Sequence, residues 1–219
     1  MIGEPTLSLA ERTVLAVLSE RPAHGFAVAR LTAPDGDLGR IWHIPRPVVY
    51  RSIGRLLDAG LVTPAGVESG RGPQRTLYTV TPPGRQATAR WLDTPVQHVR
   101  DVRSHLLLKL ALLDRAGRDP TELLGRQKTV LAPIALAVRS ERPAGQGFDR
   151  TLLAWRRAAA AAALAFLDDI TGPGQLVEPD QGDAGQDEHA AGELEDGGQL
   201  TEQQPGEQDR EQHLGHADE

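Results

Sequence analysis

Residues 44–80 read IPRPVVYRSIGRLLDAGLVTPAGVESGRGPQRTLYTV, and the fold turns on them. Val49, Ile53, Leu56 and Leu57 recur at three- and four-residue spacing, the period of one buried helix face, so a helix is expected over about 45–59. Gly60 follows the last apolar position, where a left-handed residue closes a helix. Residues 61–67 and 75–80 then read as two short strands. Between them lies Glu68-Ser69-Gly70-Arg71-Gly72-Pro73-Gln74, too rich in glycine and proline for regular structure. A helix followed by a hairpin with a basic tip is the result.

Upstream, Ser8 and Glu11 form an S-x-x-E capping box before Ala10, Val14, Val17 and Leu18, which predicts a first helix stopped by Pro22. A second helix fits residues 25–33, with Phe26 and Ala29 inward. Pro34-Asp35-Gly36-Asp37 turns the chain, and residues 40–44 are expected to be extended. Downstream, Thr81 before Pro82 predicts a capped helix running through Trp91. Helix, helix, helix and hairpin within about 80 residues is the winged-helix order, in which the third helix enters the major groove of DNA.

Beyond Pro95 the signals are helical only. Val99, Leu106, Leu110 and Leu113 keep the helical period, but residues 105–113 are apolar almost all round, more than one isolated helix could hide. Asp119-Pro120-Thr121-Glu122 restarts a helix that Leu123, Val130, Ile134 and Val138 continue, and Pro133 should kink it. A last helix over 149–170 places Leu152, Trp155, Ala159, Ala162 and Phe166 on one side. The fold class expected is mainly α with a small β-hairpin: an N-terminal winged helix-turn-helix (1–93), a C-terminal α-helical dimerisation region (94–171), and a polar acidic tail (172–219) expected to stay disordered.

The net charge of −6 conceals a division. Residues 171–219 hold 14 acidic residues against Arg210 alone, a net −13, which leaves 16 acidic and 23 basic residues in 1–170, a net +7. An acidic tail beside a basic domain is expected either to be a solvated extension or to compete with DNA at low salt. The absence of cysteine excludes disulfides and thiolate metal clusters, and the scattered histidines offer no metal site; neither a metal nor a cofactor is expected. Without a long apolar run or a secretion-type N-terminus, a cytoplasmic, nucleoid-associated protein with no membrane partner is expected. Lysine occurs only at 109 and 128, an arginine bias that suggests a GC-rich bacterial genome.

Residues 40–90 contain eight arginines against Asp58 and Glu68. With Val49, Ile53 and Leu56 inward, the opposite face of the third helix carries Pro47, Tyr50, Arg51, Gly54 and Arg55, with Arg46 in its first turn. Arginine suits a DNA-facing surface because its planar fork grips phosphate or the guanine edge with two donors. Arg71 and Arg75 add charge on the hairpin. The candidate DNA-binding set is therefore Arg46, Pro47, Tyr50, Arg51, Arg55, Arg71 and Arg75, with double-stranded DNA as partner. An ordinary solvated helix face would also carry arginines. Their coincidence with those of the hairpin favours DNA.

Leu9-Ala10-Glu11 through Leu18, Pro22-Ala23-His24-Gly25-Phe26, Val49-Tyr50-Arg51-Ser52-Ile53, Leu57-Asp58-Ala59-Gly60-Leu61-Val62, Gly72-Pro73-Gln74-Arg75 and Tyr78-Thr79-Val80-Thr81-Pro82-Pro83-Gly84 resemble successive signatures of the PadR-like regulators. The likeness extends through Lys109-Leu110 and Trp155-Arg156-Arg157. It implies a dimer paired through its C-terminal helices, a repressor role, and release from DNA by a small molecule in some relatives. Ile44-Pro45-Arg46-Pro47 departs from the serine-proline opening of many relatives, and the acidic tail is not a family feature.

A winged helix grips few base pairs, so two copies on a near-palindrome are expected to combine their affinities as a homodimer. The expected pairing residues are Leu106, Leu110, Leu113, Trp155, Ala159 and Phe166. A small-molecule effector is expected where Trp91, His98, Arg103 and Trp155 could meet. No nucleophile elbow, phosphate loop or paired acid suggests an enzyme. The competing class is a winged helix used for protein contacts without sequence-specific DNA binding.

Overall fold

The computed structural model describes residues 6–68 and 74–172. Expectations placed on Arg71 and on the acidic tail from residue 173 onward lie outside the described residues. All the described residues belong to one unit, within residues 1–177.

Helix α1 (Leu9–Glu20) begins at the expected capping box: the Ser8 hydroxyl accepts from the Glu11 N–H, and the Glu11 carboxylate accepts from the Ser8 N–H at 2.7 Å. Packed against the helices at residues 46–58 and 82–93, it buries Val14, Leu15, Val17 and Leu18. After Pro22, Ala23–His24 forms a two-residue strand, β1, paired antiparallel with Leu77 and Tyr78. No alternation can announce so short a strand. Helix α2 follows (Gly25–Leu31), capped by His24, whose Nδ1 accepts the Ala27 N–H at 2.9 Å. Its inward residues are Val28 and Ala29, while Phe26 is only half-buried.

Residues 40–44, expected to be extended, instead continue a series of tight turns. Leu38 donates to the Leu31 carbonyl, Arg40 to Gly36, Trp42 to Leu38, and Ile44 to Thr32. This coil buries Leu38 and Ile44, and satisfying its backbone locally leaves no ladder for a strand to join. Gly39 permits it: a Cβ there would lie 1.6 Å from the Ala33 carbonyl oxygen.

Helix α3 (Arg46–Asp58) buries Val49, Ser52, Ile53 and Leu56, and Gly60 takes φ +66° after it. Strands β2 (Val62–Glu68) and β3 (Arg75–Val80) form the hairpin, with a register shift between Pro64 and Gly66; the sheet order is β1-β3-β2. Thr81 caps α4 (Pro82–Asp93), accepting from the Gly84 N–H and donating to the Gly60 carbonyl at 2.8 Å.

One apolar core continues from this part into the later helices, taking in Leu18, Trp91, Leu106, Leu112, Leu131 and Leu167. At the joint, the Gln127 side chain closes both polar groups of Val96, accepting its N–H at 2.7 Å and donating to its carbonyl at 2.8 Å. The run expected to be uniformly helical begins with a 3-10 turn (Val99–Asp101) and a π turn (Val102–Leu106) before α5 (Leu107–Arg115). The wider π turn shifts the phase of the leucines relative to a regular helix. Leu106, Leu108, Leu112 and Leu113 are all buried in the core of one chain.

That burial corrects the expectation that Leu106 and Leu113 face a second subunit: at 0% and 2% exposure they belong to the chain's own core, and Leu110 is half-buried against it. Helix α6 (Thr121–Ser140) contains Pro133 and packs against α7 (Phe148–Thr171). The inward stripe of α7 is Leu153, Ala160, Ala163 and Leu167, not the neighbouring stripe read from the sequence. Trp155 is 69% exposed, with Phe148, Leu152 and, on α6, Leu136 exposed as well. Among the described residues no helix is long and apolar enough to cross a membrane.

Candidate nucleic-acid interface

The outer face of α3 follows from its inner one. With Val49, Ser52, Ile53 and Leu56 buried, the 100° step of the helix turns Arg46, Pro47, Tyr50, Arg51 and Arg55 outward, and all five are exposed. Gly54 lies among them in open space, since an added Cβ would meet nothing within 4 Å. Gly25 lets α2 approach this helix; a Cβ there would fall 2.8 Å from Tyr50 Cε1.

The arginines have different attachments. Arg51 is exposed and makes no hydrogen bond or ion pair among the described residues. Arg55 donates to Glu11 Oε1 at 3.1 Å, so an arginine expected to meet DNA also ties α3 to the start of α1. Burial pushes the Glu11 carboxyl up, but hydrogen bonds from Ser8 and Arg55 outweigh it and hold it below the ordinary carboxylate range.

Arg46 and Arg75 meet at one ring. The Arg46 guanidinium lies 5.2 Å from the Phe26 centroid and 5.7 Å from that of Tyr50; the Arg75 guanidinium lies 4.9 Å from Phe26. The first turn of α3 and the start of β3 therefore present cations side by side, with α2 between them. Arg75 faces Glu68 across the hairpin. Because His24 Nδ1 accepts a backbone N–H, the imidazole proton sits on Nε2, which points at the Glu68 carboxylate 3.2 Å away. Arg75 Nη1, 3.4 Å from the same nitrogen, meets an N–H there and not a lone pair, so Phe26 is its attractive neighbour. Sequence reading missed His24 and Glu68 and placed Phe26 inward; the signal was the adjacency of His24, Gly25 and Phe26, whose effect depends on the strand β1 that precedes them.

Three of the four residues expected around an effector line one cleft of about 860 Å³: His98, Arg103 and Trp155. Val102, Leu107, Ile134, Ala159 and Phe166 supply apolar wall, and Arg100 and Arg156 add charge. Trp91 is not among the lining residues. It is buried in the core beneath Lys109, whose Nζ sits 5.5 Å from its ring centroid and donates to the Thr94 carbonyl. Burial, aided by Arg12, lowers the Lys109 ammonium to about 8.

This geometry defines a winged-helix protein. Residues 14–90 match the model of the transcriptional regulator PadR-like family. The family is one of transcriptional regulators, not enzymes. A probable transcriptional regulator of Mycobacterium tuberculosis (strain ATCC 25618 / H37Rv), Rv1176c, is 26% identical over 106 residues, 48% of this chain and 52% of that protein. The chain thus spans about half the length of the curated relative it matches. Bacillus subtilis PadR in complex with operator DNA aligns at 17% identity and TM-score 0.40, over 76% of this chain and 100% of that one. The same protein in complex with p-coumaric acid aligns at 16% and 0.33, over 76% and 97%.

Proposed function

We propose that this protein is a transcriptional regulator, acting as a repressor, that binds near-palindromic duplex DNA as a homodimer. The observation that carries the reading is the placement of Arg46 and Arg75, from helix and hairpin, against the one ring of Phe26, with the exposed Arg51 and Tyr50 on the same helix as Arg46. Two cationic elements from different parts of the sequence then flank one groove, which a merely solvated helix face does not require. Residues 1–93 hold the DNA-binding part in this reading, and 94–171 the pairing part. The repressor role rests on the family resemblance. The exposed apolar residues Trp155, Phe148, Leu152 and Leu136 support pairing through α6 and α7.

Within the same reading, the cleft at His98, Arg103 and Trp155 takes a largely apolar effector with an acidic group, because its walls are apolar and its charged lining is cationic. Thermal shift against a panel of phenolic acids tests it, and uniform silence would leave the cleft without a ligand role.

Selection of bound duplexes from a random pool tests the main reading. The expected product is an inverted repeat with half-sites about one helical turn, or a multiple of it, apart. Salt-dependent retention of all duplexes without enrichment of any sequence would instead favour the protein-contact module.

A further inference from the structure

We propose that Phe26 is a positioning residue for DNA binding, one aromatic ring that fixes the recognition-helix arginine Arg46 and the hairpin arginine Arg75 at a set separation. The proposal rests on the DNA-binding reading above and adds a residue that touches no DNA in it. An aromatic face is negative at its centre, so a guanidinium over it is held without a carboxylate that would cancel its charge. This differs from Arg55, whose charge is answered by Glu11. Arginines at 5.2 and 4.9 Å from the same centroid keep their positive charge while losing freedom of the side chain. That freedom would otherwise be lost on binding, and removing it beforehand lowers the cost of docking.

Phe26 is well placed for the task. It sits in the first turn of α2, immediately after the His24 cap, and His24 belongs to β1, which pairs with β3 through His24↔Leu77. The ring is therefore referenced to the sheet on one side. On the other, the close approach that Gly25 allows at Tyr50 references it to α3. Tyr50 lies against Arg46 as well, so the clasp at the helix end has two aromatic faces and that at the strand has one.

The test begins in the free full-length chain. The Nε–Hε proton resonances of Arg46 and Arg75, assigned with Arg46→Lys and Arg75→Lys, should be displaced upfield by the ring relative to that of Arg51, and the displacement should vanish in Phe26→Leu. Operator affinity, measured on a duplex selected by the wild-type chain, should fall about tenfold in Phe26→Leu and return in Phe26→Tyr. In an Arg46→Ala, Arg75→Ala background the same Phe26→Leu change should cost nothing further, which a general packing defect would not reproduce. Unshifted arginine resonances in the wild-type chain overturn the proposal even if Phe26→Leu fails to fold. Equal affinity with Phe or Leu at position 26, or an undiminished loss in the double-alanine background, overturns it while leaving the DNA reading intact. Ring-shifted arginines in a chain that selects no duplex sink the DNA reading, and this role with it.

Discussion

Arg55 Nη1 donates to Glu11 Oε1 across 3.1 Å, so the exposed face of α3 is hooked to the carboxylate that completes the cap of α1. Glu11 thereby serves two helices at once. A carboxyl whose folded pKa is depressed contributes stability above its unfolded value, about 4.3, and loses it as pH falls through the folded one. Glu11→Gln should therefore cost about 1–2 kcal/mol at pH 7 and less in acid. Denaturant titrations at both pH values check this; an equal loss at each would contradict it.

The same hook separates two arginines that look alike in sequence. Arg51→Ala should leave the thermal midpoint unchanged, weaken binding to every duplex, and flatten the dependence of log affinity on log salt by about one unit. Arg55→Ala should lower the midpoint as well, because it strands a buried Glu11. Anisotropy titrations over a salt series, paired with calorimetry, distinguish them.

Lys109 makes stability rise in mild base. Its ammonium is lowered to about 8 when folded, against about 10.4 unfolded, so between those values the unfolded chain binds more protons and each rise in pH favours the folded state. The gain, on the order of 1–2 kcal/mol, should appear between pH 8 and 10.4 in the wild type and be absent in Lys109→Met. Parallel curves for the two proteins would refute the assignment.

Gly84 lies against backbone that cannot move aside: a Cβ would fall 2.1 Å from the Leu61 carbonyl oxygen. Gly84→Ala should destabilise by about 1–3 kcal/mol, a midpoint loss of several degrees. Gly54→Ala, in open space on α3, should stabilise the helix by under about 1 kcal/mol. Its effect on DNA affinity then reports how closely that backbone approaches the duplex.

Under the proposed pairing, Trp155→Glu should shift the chain toward monomer in light scattering at micromolar concentration and weaken operator binding by loss of avidity. Leu106→Ala should instead lower stability by about 2–5 kcal/mol without a specific effect on assembly, because Leu106 is wholly buried in one chain.

The legible parts of this fold were those with local chemistry. Ser8 with Glu11, Gly60, and Thr81 before Pro82 each mark a helix end through a bond or a φ angle that neighbouring residues specify. The outward set on α3 was legible for the same reason, since the regular 100° step of a helix turns Tyr50 away from the face that Val49 buries. What escaped depended on distant partners. Strand β1 exists because β3 is there to pair with it. The leucines of 106–113 read as a surface because periodicity cannot reveal the π turn or the helices that cover them. Arg55 and Arg51 could not be told apart without Glu11, 44 residues away.

At Val96, one primary amide answers a donor and an acceptor of the same residue, as a neighbouring strand would. Glutamate has the reach but would face the carbonyl with a second acceptor, methionine has the bulk but neither function, and asparagine falls a methylene short. The seam between the N-terminal and later helical parts is thus spelled in a single letter, glutamine, for which the alphabet holds no synonym.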